Sequence, residues 1–167
     1  TFSDLFSKSD QALYMSKKCG KACFSIYGME YDNQNQTKEI ILLSDSRNIV
    51  STLEYALPNF VKIKNVKNLV QIDELFNTEK NVVAGIYIDT SELYENELEQ
   101  FWNDIKKKKW IGKYPITAIC KEGEIKQMRY AVTTDGIYDM VLSPIDAGMI
   151  KRRVRKYIDE EKQRNKI

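Results

Sequence analysis

The sequence has no histidine and only three cysteines, three prolines and seven glycines among its 167 residues. Without an imidazole, histidine-based acid–base catalysis, a phosphohistidine relay and the commonest zinc sites are excluded. The cysteines, Cys19, Cys23 and Cys120, are odd in number and form no regular framework, which is typical of free thiols in a reducing cytosol. We therefore expect a cytoplasmic protein.

The chain also lacks a strong charge of either sign and a long apolar run. Its 26 basic and 24 acidic residues give a formal net charge of +2, which does not favour nucleic acid as a partner. No apolar run approaches the roughly 18 residues that span a bilayer, and no signal-peptide pattern is present, so no membrane association is predicted. The basic run at 151–156 is followed by acidic residues and is interpreted as a solvated helix face.

Five strand-like runs alternate with five helical patterns. The predicted strands are 39–43, 60–63, 82–88, 115–119 and 138–142. The predicted helices lie near 47–57, 66–76, 93–109 and 124–133, with a last one from about 146. The strongest strand-like runs are apolar without alternation, as strands covered on both faces are, and each crossover must be right-handed. This pattern predicts an α/β fold with a five-stranded parallel doubly wound sheet flanked by helices.

The first part of the chain has a different organisation. Residues 3–19 have helical periodicity, Gly20 follows as a C-terminal stop, and residues 23–27 form a short β-prone run. We therefore expect an extra N-terminal helix and short strand within 1–28, and a polar linker at 29–38. The main domain is predicted at 39–161, and residues 162–167 begin a connecting helix or tail. Because the sequence begins at Thr1, we expect it to be a piece of a longer protein.

Two aspartates follow apolar strands of the predicted sheet. Asp45 comes after the first strand and Asp89 after the third. The carboxyl ends of neighbouring parallel strands converge on one crevice, where such folds place their chemistry. Two carboxylates at that edge suit a divalent cation such as Mg²⁺, or a phosphoryl group transferred onto one of them.

Four segments in order resemble the receiver domain of bacterial response regulators: IILLSDSR at 40–47, GIYID at 85–89, YPITAIC at 114–120 and DGIYDMVLSP at 135–144. The resemblance covers about residues 38–161 and implies the flavodoxin-like receiver fold. It makes Asp89 the candidate phosphoacceptor. It also makes Asp45, Asp89 and the backbone carbonyl of Ser91 the candidate ligands of Mg²⁺.

The chain departs from the receiver pattern at three positions of the implied site. The acidic pair after the first strand reads Ser44-Asp45, so one carboxylate is lost. The Thr or Ser after the fourth strand is Cys120, a weaker hydrogen-bond donor. The lysine that precedes a proline after the fifth strand is Ser143, so the cation is lost. These departures predict a degenerate receiver, or pseudo-receiver.

Two neighbouring cations are candidates to replace the missing lysine. Lys121 follows the fourth strand beside the crevice, and Arg47 could pair with either aspartate in place of a metal. Cys120 and Ser143 are the equivalents of the switch positions. No catalytic residue is assigned.

The segment DQALYMSKKCG at 10–20, with the following 23–27 strand, is similar to the final helix and strand of a GGDEF (diguanylate cyclase) domain. The alternative interpretation is an unrelated amphipathic helix. The resemblance implies that residues 1–28 are the C-terminal part of such a domain. The catalytic part, with its Gly-Gly-acidic turn, is absent from this sequence, so no cyclase activity is expected here even if the parent protein has it.

Together these resemblances predict a non-enzymatic regulatory or interaction module of a bacterial multidomain protein in cyclic di-GMP signalling. The expected partners are other domains of the parent protein, and a homodimer through the last strand and helix at 138–157. An alternative is a working phosphoreceiver that accepts phosphate on Asp89 from a histidine kinase with Mg²⁺. A third is a flavodoxin-like small-ligand domain, which ranks last because residues 44–50 contain no glycine.

Overall fold

The structure is a computed structural model, and it describes residues 38–78 and 82–164. In these ranges five strands alternate with five helices. The strands are β1 (Lys38–Leu43), β2 (Val61–Val66), β3 (Val82–Asp89), β4 (Ile116–Lys121) and β5 (Asp139–Ser143). The helices are α1 (Arg47–Ala56), α2 (Leu69–Thr78), α3 (Glu95–Lys106), α4 (Ile125–Thr133) and α5 (Ala147–Arg164).

The five strands form one parallel sheet in the order β2-β1-β3-β4-β5. The central strands are the most apolar: the last four residues of β1 and the first five of β4 are all buried. Helices on both faces require such strands, because neither face meets water. The chain moves outward from β1 to β2 and then returns past β1 to β3, so the connections diverge between β1 and β3. The predicted five-stranded doubly wound fold is confirmed.

Adjacent strand residues point to opposite faces and form two separate cores. On one face Ile41 and Ile86 pack with Trp102 of α3, in a cluster that also holds residues of α2 and α4. On the other face Leu42 packs in a cluster with residues of α1 and α5, including Leu53. Each helix therefore buries one side against a face of the sheet. The carboxyl edge of the sheet lies between the two layers of helices.

Helix α3 ends at Lys106, earlier than the predicted limit of 109. The chain then turns, with the backbone N–H of Lys108 donating to the carbonyl of Ile105 at 2.9 Å. This turn buries Trp110, whose exposed fraction is 3%. The predicted helix included all four lysines at 106–109, whereas the observed helix ends at the first of them and the turn that buries the Trp110 indole follows.

Strand β2 is longer than predicted, and α2 starts later. The predicted strand ended at residue 63 because the polar residues Lys64 and Asn65 follow. All six β2 residues nevertheless pair in register with β1, and Val66 is buried. Strand β1 begins at Lys38, the last residue of the predicted linker. The predicted N-terminal helix and short strand, and the rest of the linker, lie outside the described residues.

Within residues 38–78 and 82–164, no helix is long and apolar enough to cross a membrane.

Candidate functional site

Asp89, the last residue of β3, accepts hydrogen bonds on both carboxylate oxygens. The Ser44 hydroxyl donates to Oδ2 at 2.6 Å. Ser91 donates twice to Oδ1, through its hydroxyl at 2.6 Å and its backbone N–H at 2.9 Å. We call these three residues the serine–aspartate cluster. Because each oxygen already has a donor, the carboxylate is held in one orientation at the carboxyl edge of the sheet.

Ser44 is buried and fixed from several sides. Its hydroxyl oxygen accepts from the backbone N–H of Ser46 at 3.0 Å, and its own N–H donates to the carbonyl of Val66 at 3.3 Å. The side-chain amide of Asn65 donates to the carbonyls of Leu42 and Ser44, both at 3.0 Å. The end of β1 is therefore bound to β2 on one side and, through the Ser44 hydroxyl, to β3 on the other.

Asp45 does not join the cluster. Its side chain is 79% exposed and pairs with Lys67 Nζ at 3.3 Å. Lys67 follows β2 and also donates to the Ser44 carbonyl at 3.2 Å. In the structure the Asp45 carboxylate therefore lies at the surface, paired with Lys67, and takes no part in the hydrogen bonds to Asp89. An exposed pair of this kind contributes only about 0–1 kcal/mol.

Cys120, at the switch position, is completely buried beside Thr90. The Thr90 hydroxyl donates to the Ile119 carbonyl at 2.8 Å and lies 3.7 Å from the Cys120 sulfur. Burial raises the pKa of the Cys120 thiol; the hydrogen bond with Thr90 lowers it by less, and the negative charge of Asp89 adds a smaller increase. The thiol is therefore protonated at neutral pH and is a poor nucleophile.

The remaining predicted site residues surround the crevice without reaching Asp89. Ser143 ends β5, precedes Pro144 through a cis peptide bond, and accepts from the Glu122 N–H at 3.1 Å through its carbonyl. Lys121 is exposed, and its backbone N–H donates to Gln127 Oε1 at 2.8 Å. Arg47 is exposed in the first turn of α1. Among the described residues, neither cation forms an ion pair with either aspartate.

The donor set does not fit a magnesium site in this arrangement. Mg²⁺ requires nearly octahedral oxygen ligands and is held in proteins mainly by carboxylates. Asp89 is the one carboxylate of the cluster, and its two oxygens already accept from Ser44 and Ser91. The Asp45 carboxylate is paired with Lys67. In the part of the chain that the structure describes, no group of three or more acidic or cysteine residues could hold a metal ion.

Three contacts at this edge of the sheet were not anticipated from the sequence, those made by the Ser44 hydroxyl, Thr90 and Lys67. Ser44 was noted only as a lost carboxylate, although a hydroxyl next to a buried strand end is itself a donor. Thr90 directly follows Asp89, and Lys67 directly follows β2. The available signal was the same for all three, namely a polar residue at the carboxyl end of a strand.

Comparison with known proteins gives structural matches alone. No protein-family model and no curated protein matches the chain. A response regulator from Thermotoga maritima has 18% identity and a TM-score of 0.59, and covers 74% of this chain and 98% of its own. The signal receiver domain of an HD domain-containing protein from Pseudomonas fluorescens Pf-5 has 14% identity and a TM-score of 0.58, with coverage of 78% and 93%.

A third structure is the N-terminal signal receiver domain of a two-component system response regulator from Bacteroides fragilis. It has 17% identity and a TM-score of 0.55, and the match covers 73% of this chain and 97% of that one. These matches establish the class of fold. The described part of the chain has the fold of response-regulator receiver domains. At these identities the comparison establishes the fold alone.

Proposed function

We propose that this chain is a non-enzymatic regulatory module, a pseudo-receiver, of a bacterial multidomain signalling protein. The observation that carries the proposal is the serine–aspartate cluster. In it, hydroxyls of Ser44 and Ser91 satisfy both oxygens of Asp89 from within the protein. A carboxylate held by internal donors needs neither a cation nor a phosphoryl group to stabilise the edge of the sheet.

Phosphoryl transfer would need features that this site lacks. The reaction depends on positioning and on neutralising the negative charge of the transferred group. In the described residues no lysine or arginine is paired with Asp89, and Lys67, which contacts the Ser44 carbonyl, is paired with Asp45. Loss of a metal ligand and of a fixed cation each costs about 2–4 kcal/mol of transition-state stabilisation, the scale of one electrostatic donor.

The signalling context is proposed from the sequence. The similarity of residues 10–20 and 23–27 to the end of a GGDEF domain supports a role in cyclic di-GMP signalling, and those residues lie outside the described part. Other domains of the parent protein are the proposed partners. One of the similar structures is itself a receiver domain of an HD domain-containing protein, an example of this fold in a larger protein.

The competing function is a phosphoreceiver that takes phosphate on Asp89 with Mg²⁺ from a histidine kinase. Its support is the position of Asp89 at the end of β3. The test is intact-mass measurement after incubation with acetyl phosphate, with and without saturating Mg²⁺. NMR spectra with beryllofluoride would complement it, with Asp89→Asn as the control. An active receiver domain treated in parallel verifies that the acetyl phosphate can phosphorylate a receiver under these conditions.

The pseudo-receiver predicts no phosphoryl adduct and no chemical-shift change that depends on Asp89. A Mg²⁺-dependent adduct on the wild-type chain that is lost in Asp89→Asn would contradict the proposal and establish the phosphoreceiver. Cys120 and Lys121 would then be the next positions to substitute.

A further inference from the structure

A groove of about 470 Å³ lies between α3 and α4, outside the serine–aspartate cluster. It is lined by Glu95, Asn96, Glu99, Lys126, Arg129 and Tyr130. Helix α3 contributes two carboxylates and α4 contributes two cations. The two walls of the groove therefore carry opposite charges.

The charges of the two walls are only partly paired within the chain. Lys126 forms an ion pair with Glu95, and both side chains are more than half exposed, so the pair is easily exchanged for another partner. Among the described residues, Glu99 and Arg129 form no ion pair. One acid and one base thus remain available on the same surface.

Exposed apolar side chains lie next to these charges. Tyr94, directly before Glu95, is 75% exposed, and Ile125, directly before Lys126, is 68% exposed. Val132 is 69% exposed and lies seven residues after Ile125, which places both on the same side of α4. An exposed apolar residue therefore lies at the start of each helix, directly before α3 and at the first position of α4, and is followed by one charged residue at once and a second one helical turn later.

We infer that this α3–α4 face binds a second copy of the chain. The two helices follow parallel strands on the same face of the sheet and line one groove, so they run in the same direction. A two-fold axis parallel to them would place α3 of each copy on α4 of the other. Glu99 of one copy then faces Arg129 of the other, and Tyr94 faces Ile125, twice over. The surface is complementary to itself in both charge and apolar contact.

The last helix provides a less suitable surface for a second copy. Its apolar residues Ile150 and Val154 are buried in the domain's own core, whereas Arg152 and Arg155 are exposed. A two-fold axis parallel to this helix would bring the exposed arginines of the two copies together. The dimer through the last strand and helix remains a prediction from sequence, and the experiment below distinguishes the two surfaces.

The test is sedimentation velocity on the full 167-residue chain over about 5–200 µM, the range of a small, transient interface. We expect a reversible dimer that is weakened at about 0.5 M NaCl, where the Debye length falls to a few ångströms. Glu99→Arg and Arg129→Glu should each weaken it by about tenfold or more, because each brings like charges together. An equimolar mixture of the two variants should dimerise again, since the reversed positions then face each other as base and acid.

Glu54→Arg and Lys113→Glu are the matched controls. They make the same changes of net charge at exposed positions elsewhere and should dimerise like the wild type. Circular dichroism establishes that every variant is folded. A monomer throughout the concentration range would overturn the inference, as would reversals without effect, or a mixture that stays monomeric. The inference would also be overturned if Arg152→Glu, on the last helix, weakened the dimer and the α3–α4 substitutions did not. None of these outcomes depends on phosphorylation of Asp89, so the pseudo-receiver proposal is tested separately.

Discussion

The Ser44 hydroxyl donates a 2.6 Å hydrogen bond to Oδ2 of Asp89 and so joins the ends of β1 and β3. These strands are neighbours at the point where the connections of the sheet diverge, which is where doubly wound folds bind ligands. In this chain an internal hydrogen bond bridges that point. The same residue that removes a carboxylate from the receiver pattern thus supplies a donor for the remaining one.

Removing the Ser44 hydroxyl should destabilise the domain. Ser44→Ala leaves Oδ2 of Asp89 without its donor and the Ser46 N–H without its acceptor. Hydrogen bonds to charged groups contribute about 1.5–3 kcal/mol, and partial exposure of Asp89 reduces this, so we expect a loss of about 1–2 kcal/mol. Urea denaturation at neutral pH measures it.

Ser51→Ala is the control for Ser44→Ala. Ser51 is exposed on α1, and its hydroxyl donates to the carbonyls of Arg47 and Asn48. The change should stay within about 0.5 kcal/mol, as for most surface substitutions. Equal effects of the two substitutions would show that the bond between Ser44 and Asp89 does not stabilise the domain.

The fold could be predicted because each strand and helix has a recognisable pattern within its own stretch of sequence. Buried parallel strands are apolar runs, and amphipathic helices repeat every 3.6 residues, so both can be recognised without knowing their neighbours. The position of Asp89 at a strand end followed directly. The ion-pair partner of Asp45 could not be predicted, because the pairing of Leu43 with Val66 is what brings Lys67 alongside. Strand register brings together side chains that are far apart in the sequence, and such pairs produce no local sequence pattern.

A second prediction concerns Asp73, which links α2 to the turn after α3. Lys108 Nζ donates to Oδ2 at 2.5 Å and Trp110 Nε1 donates to Oδ1 at 2.8 Å. Burial alone would raise the pKa of Asp73, but these hydrogen bonds and the Lys108 charge outweigh it and lower the pKa below 3.8. Asp73→Asn should cost about 1 kcal/mol at pH 7, a value reduced for partial exposure.

The effect of Asp73→Asn should depend on pH. A carboxylate whose pKa is lower in the folded state stabilises the fold above its unfolded pKa, and this contribution is lost as pH falls through the folded value. The difference from wild type should therefore be constant from about pH 5 to 8 and shrink below about pH 4. Urea denaturation across this range, with exposed Glu74→Gln as control, checks it. A difference that grows in acid would contradict this account.

A third prediction separates strain from crowding at two glycines. Gly136 and Gly123 have φ of +89° and +85°, so alanine at either position costs about 1–2 kcal/mol from the left-handed backbone. At Gly136 an added Cβ would also lie 2.7 Å from Ile111 Cγ1, whereas at Gly123 nothing lies within 4 Å. Gly136→Ala should therefore be the more destabilising by about 1–3 kcal/mol, the cost of overpacking. Thermal unfolding of both variants measures the difference, and equal losses would exclude the contact with Ile111.

The last prediction restores the missing carboxylate. Ser44→Asp places a negative charge against Asp89 in place of a donor, because the Ser44 oxygen lies 2.6 Å from Oδ2. Two carboxylates so close repel each other unless a cation lies between them. Without Mg²⁺, we expect this variant to unfold at a lower temperature than the wild type. At millimolar concentrations of Mg²⁺ it should regain stability. Binding to the folded state alone adds about 2.7 kcal/mol at one hundred times the dissociation constant.

The wild type should show no such Mg²⁺-dependent rise, and differential scanning calorimetry with and without Mg²⁺ compares the two. Adding Asp89→Asn to Ser44→Asp should abolish both the loss of thermal stability and its recovery with Mg²⁺, because one of the two carboxylates is then uncharged. Ser51→Asp, on the exposed side of α1, controls for a nonspecific effect of added charge. If Mg²⁺ stabilised the wild type as strongly as the Ser44→Asp variant, then the Ser44 hydroxyl would not be what prevents cation binding. That result would contradict the argument on which the pseudo-receiver proposal rests.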